Sequence, residues 1–290
     1  MSGLTSLYCT LADAKSELQA ESNVDDQKIV RFIKQLSRRI DQMFRSRTSV
    51  FVPVRQARNV SLSPYNINSY LRTLDLGAPM MDLTGISTNG QALVVGSTVQ
   101  SYPVGVTPFS QVQLLGAAYS SWYAYAQCAD AWGPQNASVS GVWGYSTDYS
   151  DAWLEVDSLT DAMTDSALTF TVEDVDGENP LAEAPRISAG HVVQIDDEWM
   201  DVVRTNTVTN SVTVRRGVNG TTAAVHDADA VVSVFQVEEG IRRIARQVCL
   251  QYARQGAFNT ITISGMGQEI RFPQDLLEEI TALVSQYANM

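Results

Sequence analysis

The chain has 290 residues, a formal net charge of −12, 44% hydrophobic residues and 18% charged residues. Such a chain can bury a sizeable core in one large domain or two modest ones, which excludes a protein that is disordered throughout. Three cysteines and two histidines leave little material for a disulfide framework, a four-cysteine zinc site or histidine-based catalysis, and the acidic balance excludes a protein that coats nucleic acid with its whole surface.

The first fifty residues predict two helices. Thr10 and Asp13 have the spacing of a capping box, which begins a short helix. The second helix is predicted to run to about Arg45. Its apolar residues recur at helical spacing: Ile29, Ile33, Leu36, Ile40, Met43 and Phe44. Four basic residues lie nearly opposite that stripe and form the candidate inter-subunit or phosphate-facing row: Arg31, Lys34, Arg38 and Arg45.

Residues 49–99 predict strands. Pro53 confines the first of them to an edge or to a strand start, because proline has no N–H to donate. Asn89 and Gly90 tolerate the positive φ of a tight turn and therefore predict a hairpin. Residues 100–150 are less regular and rich in aromatic residues. Four of these are candidate interface aromatics: Trp122, Trp132, Trp143 and Tyr145.

Residues 153–235 predict a separate small β-unit. Residues 192–203 indicate two short strands around an acidic turn at Asp196–Glu198. Residues 211–235 indicate a strand, a glycine-rich loop at Gly217–Gly220 and a closing strand.

Helical patterns return after residue 236. One helix has apolar residues at Ile241, Ile244 and Val248, and a last helix follows Pro273. The sequence therefore predicts an α+β fold, with a helical core made from the N- and C-terminal helices, a β-sheet region and an inserted small β-domain. The expected divisions are 1–152 and 236–290 for the two parts of the core and 153–235 for the inserted module.

Charge of opposite sign is segregated along the chain. Nine basic residues and one acid lie between Lys28 and Arg58, whereas fifteen acids and one base lie between Asp148 and Asp201. The two segments are either two solvated surfaces or surfaces that face different neighbours, such as copies of the same chain or nucleic acid. No apolar run is long enough to span a bilayer, and no secretory signal is readable. We therefore expect that the protein assembles in a cytoplasm and does not associate with a membrane.

Three groups of residues are candidates for reactive or metal-binding sites. Asp174, Asp176 and Glu178 lack the spacing of a calcium loop and are better interpreted as an acidic turn. A metal-dependent hydrolase using Asp196 and Glu198 is disfavoured, because consecutive strand or turn residues cannot all face one ion. A hydrolase triad at His226 lacks a nucleophile elbow, and a hydrogen-bonded turn is favoured. We predict no enzyme activity, no cofactor and no metal site.

Several segments resemble the head–tail connector proteins of tailed bacteriophages, also called adaptor or head-completion proteins. The similar segments are Tyr8–Leu18, Asp25–Ser46, Gly141–Tyr145 and Ile270–Ile280. They occur in the same order as in that family and cover about a third of the chain. The stretch Arg215–His226 is similar to a loop common in phage virion proteins. Many connectors are much shorter, so residues 153–235 were interpreted as an added module of unassigned role.

The resemblance implies a structural protein of the virion neck, assembled in the host cytoplasm. Such connectors form rings, typically of twelve copies, that lie beneath the portal protein and extend the DNA channel. The ring also provides a platform for stopper or tail-completion proteins, and genomic DNA passes through it without sequence-specific binding. A terminal segment docks on the portal. The residues expected to do so here are Leu276, Ile280, Leu283 and Tyr287.

The aromatic density of residues 119–153 supports one alternative. Aromatic rings can stack on sugars or bases, so a carbohydrate- or receptor-binding virion module is the second expected function. Aromatic residues at this density also fill cores and interfaces, which is the simpler interpretation.

Overall fold

A computed structural model describes residues 7–18, 26–44, 50–63, 65–88, 91–116 and 135–254, with a few isolated helical positions beyond them. The chain divides into two compact units. The terminal unit comprises Met1–Val52 and Ser150–Met290, and the central unit comprises Pro53–Tyr149.

The fold is mostly β, so the predicted α+β fold with a helical core is wrong. Of the described residues, 39% lie in strands and 20% in helices, and the strands form two antiparallel sheets. Each sheet has its own hydrophobic core, built from strand and loop residues. The helices predicted in the first fifty residues and after residue 236 are present at 11–18, 26–43 and 239–254, but they pack beside a sheet that buries its own apolar side chains. The helix predicted after Pro273 lies outside the described residues, apart from a few isolated helical positions.

Three long helices lie within the described residues, all in the terminal unit. They are α1 (Leu11–Leu18), α2 (Asp26–Met43) and α3 (Glu239–Arg254). The predicted capping box of α1 is confirmed: the Asp13 N–H donates to Thr10 Oγ1 at 3.0 Å, and the Thr10 N–H donates to Asp13 Oδ2 at 2.9 Å.

The predicted apolar stripe of α2 is buried at Ile29, Ile33, Leu36 and Ile40. It faces α3, where the ring of Tyr252 stacks on the ring of Phe32 with centroids 4.1 Å apart. The helices α1 and α3 also pack against each other.

The central unit contains seven strands. They are β1 (Val54–Leu62), β2 (Ile67–Asn68), β3 (Thr73–Thr88), β4 (Gln91–Leu93), β5 (Val99–Tyr102), β6 (Phe109–Leu114) and β7 (Gln135–Trp143). Their order is β1-β7-β3-β6-β5, with β2 and β4 also paired to β3. Thr88 lies opposite Gln91, which is the register expected for the predicted hairpin; Asn89 and Gly90 themselves lie outside the described residues.

The terminal unit contains six strands. They are β8 (Trp153–Ser158), β9 (Thr169–Thr171), β10 (Val192–Ile195), β11 (Glu198–Asn206), β12 (Ser211–Arg215) and β13 (Val231–Phe235). Their order is β8-β13-β10-β11-β12-β9. An antiparallel bridge between Leu159 and Val172 joins the ends of the two outer strands, so the sheet curves round and closes on itself.

The acidic turn between β10 and β11 is present as predicted. Ile195 lies opposite Glu198, leaving a two-residue turn in which Asp196 has a φ of 50°. Aspartate tolerates this left-handed conformation better than most residues. The turn places Asp196 and Glu198 beside the loop that follows β12, where the buried charges of the terminal unit meet.

Candidate functional site

The basic row of α2 lies partly in solvent and partly against the sheet. Arg31 and Arg38 are exposed, Lys34 is half-buried, and Arg45 lies outside the described residues. Burial lowers the pKa of Lys34, and the charges of Arg215 and Arg38 lower it further. Because Arg215 is itself paired with Asp201, the surplus positive charge here belongs to α2. We call Arg31, Lys34 and Arg38 the basic surface.

Exposed carboxylates of the terminal unit occur in several loops, and six of them lie on β8 and in the loops around β9. We call this set the acidic surface: Glu155, Asp161, Asp165, Glu173, Asp176 and Glu178. The closure of the sheet brings the end of β8 next to β9, because the Thr160 N–H donates to Thr171 O at 3.1 Å. Residues near the ends of β8 and β9, the two outer strands in the sheet order, therefore lie close together.

Part of the acidic segment is neutralised inside the unit. Arg186 pairs with Asp157 and Asp174, and Asp201 pairs with Arg215. Arg186 lies within the acidic segment and Arg215 lies outside it, so less negative charge reaches solvent than the sequence count indicates.

Glu198 and Arg216 form a fully buried ion pair. Arg216 Nε donates to Glu198 Oε1 at 2.7 Å and its Nη2 donates to Oε2 at 2.6 Å. The N–H groups of Gly217 and Ala224 each donate to the carboxylate at 2.9 Å. Burial opposes ionisation of Glu198, but these hydrogen bonds lower its pKa below the ordinary value.

Arg216 also organises the surrounding backbone. Its Nη1 donates to the carbonyl oxygens of Thr164 at 2.7 Å and Ala167 at 2.9 Å, and its Nη2 donates to that of Ala224 at 2.5 Å. The stretch Arg215–His226 is therefore held by one guanidinium that reaches three separate backbone positions. Its role is structural.

His226 completes this network. Its Nδ1 lies 2.7 Å from Asp196 Oδ2, and its Nε2 lies 3.0 Å from Glu198 Oε2. The prediction of a hydrogen-bonded turn is confirmed. The oxygens of Glu198 accept five hydrogen bonds in all, from Arg216, Gly217, Ala224 and His226.

The predicted acidic turn at residues 174–178 is also present. Oδ1 of Asp174 accepts the N–H groups of Asp176 at 3.2 Å and Gly177 at 3.0 Å, and its Oδ2 lies 3.4 Å from Arg186. This carboxylate shapes its own turn, as aspartate commonly does in loops.

A second ion cluster, which the sequence analysis missed, fixes the helices to the sheet. Arg242 of α3 donates to Asp13 Oδ1 at 2.8 Å and to Glu183 Oε1 at 2.9 Å. The Leu11 N–H donates to Ala189 O at 3.1 Å. We call Asp13, Glu183 and Arg242 the clasp. Asp13 and Arg242 are 229 residues apart, and no local pattern indicates such a pair.

The pKa values in the clasp follow from the pairing. Burial opposes the charge of Asp13, but Arg242 and the capping hydrogen bonds lower its pKa below the ordinary value. The carboxylates of Asp13 and Glu183 raise the pKa of Arg242 despite its burial. The pairing therefore favours the ionised form of both groups.

A cavity of about 20 Å³ lies beside the clasp, which is enough for a single water molecule. Tyr8, Cys9, His191 and Phe235 are among its lining residues. Burial lowers the pKa of His191 to about 4, so this imidazole is neutral near neutral pH. The cavity is too small for an organic ligand.

The four candidate interface aromatics lie in different environments. Trp143 is fully buried, its Nε1 donates to Gln56 O at 3.1 Å, and the Arg58 guanidinium lies 4.2 Å from the centre of its ring. Trp143 is thus a core residue of the central unit rather than a surface aromatic. Tyr145 is half-buried, and Trp122 and Trp132 lie outside the described residues. So do the portal-docking candidates Leu276, Ile280, Leu283 and Tyr287.

The exposed aromatic residues of the central unit are others. Tyr65 is 96% exposed and Tyr70 is 92% exposed, both in the loop between β1 and β3. The turn-forming residues around them, SPYNINSY, are a signal for an exposed loop that the sequence analysis did not use.

Comparison of the chain with protein-family models, with curated proteins and with solved structures gave no match. Within the described residues, no helix combines the length and apolar character needed to cross a bilayer. The same residues contain no group of three or more histidine, cysteine, aspartate or glutamate side chains placed to hold a metal ion.

Proposed function

We propose that this protein is a structural connector of a tailed phage, which forms a ring in the virion neck between the portal and the stopper or tail-completion proteins. The observation that carries the proposal is the presence of two oppositely charged surfaces on the terminal unit. The basic surface lies on α2, and the acidic surface lies on β8 and around β9.

Part of the positive charge of α2 has no ion-pair partner among the residues that the structure describes. Arg38 and its neighbour Arg39 are exposed, and neither forms an ion pair with a described residue. Several exposed acids, including Glu155 and Asp165, likewise take part in no ion pair among the described residues. Arg38 on the basic surface and these acids on the acidic surface are therefore available to another copy.

A contact between two different surfaces of identical chains is heterologous. Such contacts repeat from copy to copy, and they generate a closed ring whenever the rotation between neighbours closes. Complementary charge also sets the direction of the contact and opposes pairing between two like surfaces. A ring of this kind matches the architecture that the resemblance implies, with a copy number of twelve as the family's typical value.

The other parts of the proposal come from the resemblance alone. They are the portal above the ring, the stopper or tail proteins below it, and genomic DNA passing through the channel without sequence-specific contacts. The net charge of −12 favours such passage, because an acidic wall does not adhere to DNA phosphates.

The experiment is mass photometry and negative-stain electron microscopy of the purified chain at low and high salt. We expect rings that weaken as salt rises, because exposed charges are screened. Arg38→Glu should impair ring formation, whereas Arg243→Glu, the same change at an exposed position of α3, should leave it intact. Absence of rings under all conditions contradicts the connector proposal. Normal rings from Arg38→Glu contradict the assignment of α2.

A second candidate is the carbohydrate- or receptor-binding virion module. The exposed rings of Tyr65 and Tyr70 favour it, since tyrosine rings stack on sugars. A glycan array separates the two functions: a receptor module binds defined glycans and loses them in Tyr65→Ala and Tyr70→Ala, and a connector binds none.

A further inference from the structure

The central unit carries very little charge. Its charged residues are Arg55, Arg58, Arg72, Asp75, Asp82, Asp130 and Asp148. These seven sum to a net charge of −1 and include no lysine, glutamate or histidine, so the terminal unit carries −11 of the total of −12. Charged residues are depleted in the centre of protein–protein interfaces, whereas the surface of a protein that works alone is rich in them.

The same unit exposes large apolar side chains in several loops, including Val104 and Val106 between β5 and β6. Val94 is 63% exposed and Val95 is 40% exposed, in addition to Tyr65 and Tyr70. We call Tyr70, Val94 and Val95 the apolar end.

Two loops are brought together at that end by the C-terminus of β6. The Leu114 N–H donates to Arg72 O at 2.9 Å, and the Leu115 N–H donates to Thr98 O at 2.9 Å. Adjacent residues of one strand thereby hold the loop of Tyr70 and the turn that follows Val95 side by side.

Both loops are held in shape by their own hydrogen bonds. Asn68 Oδ1 accepts the N–H groups of Tyr70 and Leu71, each at 3.0 Å. The Val94 N–H donates to Thr98 Oγ1 at 2.8 Å. The apolar side chains are therefore presented by ordered loops, which reduces the entropy that binding must remove.

We propose that the apolar end binds a second copy of this chain, through the central unit of that copy. The inference deepens the proposed ring, on which it rests, by adding an uncharged contact to the charged one. Exposed apolar side chains on two neighbouring ordered loops mark an interaction site, and burial of tyrosine and valine side chains supplies the affinity.

Charge decides the choice of partner. Two copies each carry −12, so they repel one another, and they can approach most closely where the surface is nearly neutral. A basic partner would instead bind the acidic surface, and DNA would bind the basic surface of α2, because opposite charges attract. A sugar site needs polar groups that fix its hydroxyls beside a ring, whereas Val94 and Val95 offer none.

The test is sedimentation velocity of the full chain over a wide range of concentration. The double variant Tyr70→Ser with Val94→Ser should weaken self-association about tenfold or more. The matched control is Val208→Ser, because Val208 is 92% exposed in the turn between β11 and β12 of the terminal unit. This control should associate as the wild type does. Thermal unfolding of each variant checks the fold, and Val94→Lys alone replaces the double variant if that one is unstable.

The outcomes separate this inference from the ring proposal. Wild-type rings together with unchanged association of the Tyr70/Val94 variant overturn the apolar contact and leave the connector proposal standing. A wild-type chain that stays monomeric at every concentration overturns both. Defined glycan binding that is lost with Tyr70 overturns the self-association site and supports the receptor alternative.

Discussion

The hydroxyl of Tyr8 donates a hydrogen bond to Oδ1 of Asp41, across the boundary between the N-terminal segment and α2. The Val50 N–H donates to the same oxygen at 3.0 Å. Burial nevertheless dominates and raises the pKa of Asp41 to about 7, against an ordinary value of 3.8. Asp41 is the single acid in the otherwise basic stretch between Lys28 and Arg58, and its role is to join three segments of the terminal unit.

This pKa predicts a pH dependence of stability. A carboxyl whose pKa is raised in the folded state stabilises the fold fully below its unfolded pKa, and that contribution is lost as the pH rises towards 7. Asp41→Asn keeps an oxygen acceptor but cannot ionise. We expect this variant to gain stability relative to the wild type between about pH 5 and about pH 8, by on the order of 2 kcal/mol. Urea unfolding at the two pH values measures it, and a constant difference between the proteins contradicts the assignment.

The buried pair of Glu198 and Arg216 predicts a large loss of stability when one partner is removed. Arg216→Met leaves a carboxylate with no exposed side-chain surface and without its cation, which costs about 3–5 kcal/mol. Arg204→Met is the control, since Arg204 is exposed and its guanidinium donates only a long hydrogen bond to Thr213. We expect less than about 1 kcal/mol for that variant. Equal losses in chemical denaturation would show that the network carries no special stability.

The clasp predicts that two adjacent arginines of α3 differ in importance. Arg242→Met breaks the ion pairs to Asp13 and Glu183 and should cost about 2–4 kcal/mol, whereas Arg243→Met removes an exposed charge and should cost little. Amide hydrogen exchange gives a local readout. Because the Leu11 N–H bonds to Ala189 O across the clasp, its protection should fall in Arg242→Met alone. Unchanged protection at Leu11 would argue against a docking role.

The close packing around Gly141 predicts that the fold does not tolerate a side chain at this position. A Cβ at this position would lie 2.1 Å from the backbone oxygen of Asp82 and 2.4 Å from Met80 Cε, so β3 and β7 would have to separate. We expect Gly141→Ala to destabilise the protein by roughly 2 kcal/mol or more. Gly85→Ala is the matched control in β3, where a Cβ would meet nothing within 4 Å. Comparable melting temperatures for the two variants would contradict the close approach of these strands.

Local features of the fold were predictable from the sequence. The capping box at Thr10, the buried stripe of α2 and the turn at Asp196 each follow from residues within a few positions of one another. Their physical causes, which are cap hydrogen bonds, helical periodicity and turn conformation, are local as well.

The fold class and the buried ion clusters were not predictable in this way. The strand β1 pairs with β7 through Val54 and Trp143, which are far apart in sequence, and the clasp joins Asp13 to Arg242. Hydropathy patterns show that a strand exists but do not specify its distant partner. The strong helical periodicity near the ends therefore received too much weight in the prediction of a helical core.

The pairing of Val54 with Trp143 has a consequence for modularity. It places Val54, at the entry to the central unit, directly opposite Trp143, which lies six residues before the exit at Tyr149. A segment that begins and ends at nearly the same point can be removed and replaced by a short linker without stretching the remainder. The terminal unit, with its clasp and its closed sheet, is thus interrupted at a single place in the sequence, between Val52 and Ser150.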